Sequence, residues 1–115
     1  MMPALEDQDR KLLYGNFEML VLAVLAGESM HGYRLRQELM DKSRQGIQVG
    51  FGGLYPLLAA LQRRGYVNGV PETVGKARFR IIYSLPPRGR ARLALLIRKW
   101  TRFQADINRL IANSG

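Results

Sequence analysis

The chain has 115 residues, a length that fits one domain, and its 18 Lys and Arg face nine Asp and Glu for a net charge of +9. It has no cysteine and one histidine, His31, which excludes disulfides, thiolate catalysis and the usual Cys/His zinc site. No Ser/His/Asp set, paired carboxylates or phosphate-binding loop is visible, so the sequence reads as a non-enzyme without a cofactor or metal. The longest apolar run, Met19 to Ala26, has eight residues, against the ~20 of a membrane span. With three acidic residues among the first nine, this argues against a membrane partner or a secretory signal and for a cytoplasmic protein.

The charge is unevenly placed. From Ser43 to Gly115, thirteen Lys and Arg face only Glu72 and Asp106. Self-repulsion on that scale favours a polyanionic partner, nucleic acid being the commonest; a merely basic soluble protein, or one that meets acidic lipid, fits the same count.

Residues 1–15 read as a leader with a short helix from Leu5 to Tyr14, broken at Gly15-Asn16. Phe17, Leu20, Val21, Val24 and Leu25 then recur at helical spacing, and Leu22 and Ala23 make this helix apolar nearly all round. Gly27 ends it. Ser29 is the expected N-cap of a second helix over His31 to Ser43, with Tyr33, Leu35, Leu39 and Met40 as its apolar face. His31 is expected to cap or hydrogen-bond near that start, or to touch phosphate. Gln45 to Gly53 reads as a Gly-rich loop. A third helix is expected from Gly53 to Arg64, with Leu54, Leu57, Leu58 and Leu61 buried and Pro56 in its first turn. Gly65 stops it.

The period then changes to two. Tyr66 to Val70 and Phe79 to Leu85 read as the strands of a hairpin turning at Thr73 to Ala77. Pro86-Pro87 opens a final helix that runs to about Ala112. Three helices, a hairpin and a long helix are the order of a winged helix-turn-helix. The fold class is therefore mainly α with a small β part: residues 16–85 as the DNA-binding domain, 86–115 as a dimerisation helix.

Three groups of residues could carry function. In a helix-turn-helix the first residues of the recognition helix reach the base edges. That selects Gly52, Gly53, Tyr55 and Pro56, with Gln62 and Arg63 further along; a Gly-rich turn with a packing tyrosine fits the same residues. Lys76, Arg78 and Arg80 alternate with Ala77 and Phe79, so a basic wing face opposes an apolar one, as contact with phosphate or the minor groove requires; a solvated strand face fits the same spacing. Leu93, Leu96, Trp100, Phe103, Ile107 and Leu110 follow at spacings of 3, 4, 3, 4 and 3, a heptad seam suited to a second copy of the chain, or to a helix folded back wholly on its own domain. Trp100 is first a packing residue and secondarily a wall for a ligand at that interface.

Met30-His31-Gly32-Tyr33-Arg34-Leu35, Gly53-Leu54-Tyr55-Pro56-Leu57-Leu58, Gly65-Tyr66-Val67 and Arg80-Ile81-Ile82-Tyr83-Ser84-Leu85 together resemble the PadR family of phenolic-acid-responsive repressors, in its subgroup with a short C-terminal domain. The resemblance spans about residues 16–112. It implies a homodimer that binds double-stranded DNA at pseudo-palindromic operators, and a small aromatic effector near the dimer interface, against Trp100 and Phe103. It also implies that Tyr33 and Tyr55 stand at the DNA face and that Lys76 and Arg78 form the wing. Two departures are visible. Phe51-Gly52-Gly53 stands where the family often has Ser or Thr before the recognition helix, and Pro86-Pro87 where it often has Thr. Two other readings fit the charge and the Gly-rich entrance: a winged-helix adaptor for proteins, and a non-specific nucleic-acid binder.

Overall fold

The computed structural model describes residues 7–114, and side chains from residue 16 onward. Helix α1, Asp7–Gly27, is continuous, so the expected break at Gly15-Asn16 is absent; the first six residues of the expected leader lie outside the described residues. A single Gly in a helix costs about 1 kcal/mol relative to Ala. Phe17, Val21, Leu22 and Leu25, all buried in the turns that follow, offset it.

After Gly27 the chain runs extended through β1, Met30–His31, before α2, Gly32–Lys42, begins. The N-cap is His31, not Ser29. Its backbone is extended (φ −78°, ψ 164°) and its Nδ1 accepts from the Arg34 N–H at 3.3 Å. The cap falls two residues late because Met30 and His31 first pair with a later strand, and a helix cannot start until that pairing ends.

The stripe Leu35, Leu39 of α2 meets Leu54, Leu58, Leu61 of α3, Phe51–Arg63, with the buried face of α1 closing the core. Helix α3 starts two residues before the expected Gly53. Gly52 and Gly53 are therefore helical, and Tyr55 and Pro56 sit in the second turn rather than the first. Pro56 lacks the N–H that would bond the Gly52 carbonyl, so that helical hydrogen bond is missing. At the other end Gly65 takes φ +77°, and the Gly65 and Tyr66 N–H groups return to Gln62 and Leu61. This is the paired bonding of a glycine-terminated helix.

Strands β2, Asn68–Gly75, and β3, Arg78–Ser84, form the hairpin, and the antiparallel sheet has the order β1-β3-β2. The hairpin is longer than expected, because Thr73 to Gly75 belong to β2. A bulge between Thr73 and Gly75 precedes the turn, where Ala77 takes φ +57°.

Pro87 is the first residue of α4, Pro87–Ser114, where a missing N–H costs least, and the Pro86 carbonyl accepts from Arg90 at 3.0 Å. Arg92 ties α4 to α1 through two bonds to Glu18, at 2.9 and 3.1 Å. The Arg92 guanidinium also lies 5.4 Å from the Tyr66 ring, with Arg88 at 5.3 Å. Gly89 is buried where α4 crosses the end of α3; a Cβ there would overlap the Tyr66 carbonyl oxygen and the Leu85 side chain. Backbone does not yield cheaply, so Gly89→Ala should destabilise the protein by about 3 kcal/mol. A fall in the urea midpoint at unchanged slope is the expected reading; an unchanged midpoint would show that α4 is not packed as described.

Candidate nucleic-acid interface

Two helix starts and the wing meet at one surface. Tyr33 on α2 and Tyr55 on α3 are both exposed, and Phe51 lies between them. Tyr33 stacks on Phe51 at 6.0 Å and Phe51 on Tyr55 at 5.4 Å, interplanar angles 26° and 17°. His31 continues the row at 6.5 Å from Tyr33. Offset stacks of this kind add to the stabilisation from buried area. Arg36 caps the row, with its guanidinium 5.0 Å from the Phe51 ring and Nε donating to the Val49 carbonyl at 2.6 Å. That bond holds the turn between α2 and α3.

Tyr55 sits unusually close to α2. A Cβ on Gly32 would lie 2.7 Å from Tyr55 Cε1 and 2.8 Å from its hydroxyl oxygen. The other side of the surface is the wing. His31, Tyr33, Tyr55, Arg78, Phe79, Arg80, Ile81 and Tyr83 line a cleft of about 870 Å³ between helices and hairpin. Phe79 is 73% exposed there. Burial, with the nearby Tyr55, pushes the Tyr83 phenol up.

The charges are less uniform than their spacing suggests. Arg80 faces Glu72 across the hairpin at 3.3 Å and is partly neutralised. Among the described residues Lys76, Arg78 and Arg63 form no ion pair. Arg34 is held by Glu28 through two bonds, at 2.7 and 3.1 Å; this hydrogen bonding raises its pKa, as Glu18 raises that of Arg92.

Of the residues singled out from sequence, the structure brings Tyr33, Tyr55, Arg78 and Arg80 to one cleft. Gly52, Gly53 and Pro56 lie in the first two turns of α3, and Lys76 at the hairpin turn. Arg63 stands apart, about 12 Å along α3 from Tyr55 by helical rise. The start of α3 has Gly50 as N-cap and no side-chain capping bond. Phe51, Arg36 and Gly32 join the surface without a sequence pattern that marks them as site residues. Their roles depend on contacts between α2 and α3 that no local pattern encodes, although Gly32 stands inside the quoted His-Gly-Tyr run.

The seam on α4 divides. Leu93 and Leu96 pack against the core of their own domain. Trp100, Phe103, Ile107 and Leu110 are uncovered, joined by Ile97 and Ile111, with Phe103 63% and Leu110 69% exposed. Among the described residues no helix is long and apolar enough to cross a membrane.

A three-helix core with a two-stranded wing and an appended helix defines a winged helix-turn-helix protein. Residues 21–95 match the transcriptional regulator PadR-like family, and the chain belongs to that family of DNA-binding regulators. Solved structures agree. A transcriptional regulator from Clostridium thermocellum is 20% identical, with 86% of this chain and 96% of that one covered and a TM-score of 0.80. A PadR family transcriptional regulator from Eggerthella lenta is 27% identical, covers 90% and 85%, and has a TM-score of 0.78. A PadR-like regulator from Bacillus cereus is 24% identical over 88% and 96%, at 0.74.

Arg36 supplies the prediction for this surface. Arg36→Met keeps the stem but leaves the Val49 carbonyl without its donor and the Phe51 ring without its cation. The expected loss is about 1–2 kcal/mol, with faster amide hydrogen exchange in residues 43–54 than in α1. Uniform exchange changes across the domain would contradict a local role.

Proposed function

We propose that this regulator acts in the cytoplasm as a homodimeric repressor on a pseudo-palindromic operator. The observation that carries the reading is the cleft in which Tyr55 of α3 faces Arg78 of the wing, on a chain of net charge +9. Helix α3 enters the major groove through Tyr55, Pro56 and the backbone of Gly52-Gly53, with Tyr33 beside it and Arg63 toward the flank. Lys76 and Arg78 contact phosphate beside or within the minor groove, and Arg80 reinforces them from the strand.

The uncovered half of the α4 seam supports the dimer. Trp100, Phe103, Ile107 and Leu110 face a second copy, while Leu93 and Leu96 anchor the helix root. Two recognition helices then meet successive major grooves about 34 Å apart. A small aromatic effector stacking against Trp100 and Phe103 changes the tilt of the two heads and shifts the dimer away from its DNA-competent form.

Selection from a random duplex pool at stated salt tests this reading. One palindromic sequence should emerge, with affinity falling steeply as salt rises. Arg78→Ala should lower the salt slope by about one and weaken all duplexes alike. Tyr55→Ala should cost about 1–3 kcal/mol on the selected site and little on random DNA. Equal affinity for every duplex would leave a non-specific binder, and no duplex binding at low salt would leave a protein adaptor. Phe103→Glu should convert a sedimenting dimer into a folded monomer; a wild-type monomer at micromolar concentration would exclude the dimeric reading.

A further inference from the structure

We infer that Gly32 is a specificity-determining residue, the notch in α2 that sets the orientation in which the Tyr55 ring meets DNA. The inference rests on the proposed role of α3 as the recognition helix, and deepens it.

Glycine loses more conformational freedom on folding than any other residue, so its use at a buried position calls for a reason. Gly65 is the only described glycine with a positive φ, so Gly32 is not there for backbone freedom. What it provides is space. A Cβ at Gly32 would lie 2.7, 2.8 and 2.9 Å from three atoms of the Tyr55 ring and hydroxyl, distances that real Cβ atoms essentially never show. Gly32 is itself buried. The Phe51 ring stacks on Tyr55 at 5.4 Å, so the tyrosine is located by a backbone surface and by an aromatic plane. Its remaining surface, 44% of the residue, stays open toward the cleft that Arg78 lines.

The support of the notch is equally specific. Gly32 directly follows His31, which pairs with Ile82 of β3 and caps α2 through Nδ1. The notch is thereby fixed to the root of the wing. Through it, Tyr55 is registered against the wing as well as against its own helix. A side chain that reads base edges must be held within about 0.5 Å of its working position. A methyl group on Gly32 displaces the ring by several tenths of an ångström to restore ordinary contact. The obstructed atoms are the far end of a side chain, so the ring moves and the backbone does not.

The test compares wild type, Gly32→Ala, Tyr55→Ala and the double variant on the duplex that wild type selects and on random duplex. Gly32→Ala should reduce the preference for the selected duplex about tenfold, while its affinity for random DNA stays within twofold. Adding Gly32→Ala to Tyr55→Ala should change that preference by less than twofold, because the ring it displaces is gone. A Gly32→Ala protein that keeps its preference overturns the inference, as does a double variant in which the two losses add. If Gly32→Ala alone does not fold, Tyr55→Ala should restore folding, and failure to restore it also overturns the inference. A wild-type protein that prefers no duplex sinks the proposed function and this inference with it; a preference that Gly32→Ala retains sinks only the inference.

Discussion

Two residues of extended chain hold the functional surface together. Met30 and His31 pair with Tyr83 and Ile82 at the root of β3, which makes β3 the central strand of the sheet. Helix α2 starts where the pairing stops, and its first residues, Gly32 and Tyr33, face α3. The wing is therefore joined to the helix pair by backbone hydrogen bonds as well as by the chain. Met30 and Tyr83 are both buried, so slipping the register by one residue would expose apolar side chains on both strands. A fixed angle between wing and α3 follows from that constraint.

The electrostatics follow the same division between root and tip. Among the described residues, five of the six acidic side chains form ion pairs: Glu18 with Arg92 on the body, Glu28 and Glu38 with Arg34, Glu38 with Lys42, Glu72 with Arg80, Asp106 with Arg109; Asp41 accepts from Gln37 and Gln45 instead. Exposed pairs of this kind contribute little to stability. Their larger effect is on where net positive charge remains. Among the described cations left without an ion pair are Lys76 and Arg78 at the wing, Arg78 lining the aromatic cleft, and Arg63 toward the end of α3; Arg44, Arg64 and several arginines of α4 are unpaired as well. Unpaired charge beside the cleft suits contact with phosphate, as the proposed function requires.

Helical periodicity made the core legible. The leucines of α2 and α3, the apolar body of α1, the stop at Gly65 and the proline start of α4 all follow from local rules, and all are found. What local rules missed depends on distant partners. Ser29 is a good cap by type, but β1 exists only because β3 lies fifty residues later, and it moves the cap to His31. Gly52 and Gly53 look like a loop by composition, yet they are helical because Leu54 and Leu58 fix α3 against α2. Gly15 looks like a break, yet the helix passes through it to reach Phe17. At the surface, the spacing of Lys76, Arg78 and Arg80 implied three equivalent cations, and only the cross-strand register exposes the pairing of Arg80 with Glu72. The place of Tyr55 against Gly32 had a visible signal, a glycine where a helix starts, but no local rule says which ring fills it.

The long helix shows how a small domain divides its apolar surface. At about 1.5 Å per residue the 28 residues of α4 extend roughly 42 Å, more than the three-helix core can cover. Its first turns are spent inward: Gly89 touches the backbone at Tyr66, Leu93 and Leu96 join the core, and Arg92 locks to Glu18. Past Leu96 the same heptad continues without a partner, through Trp100 to Leu110. An apolar stripe kept in phase for three further turns carries a cost in solubility unless something covers it. The phase itself constrains what that is: a seam of period 3.5 fits another helix of the same period more closely than it fits a flat or irregular surface. A second α4 meets that requirement with no new sequence. Because the root of α4 is locked to its own head through Arg92 and Gly89, the proposed dimer would carry a change in the angle between its two long helices to both heads.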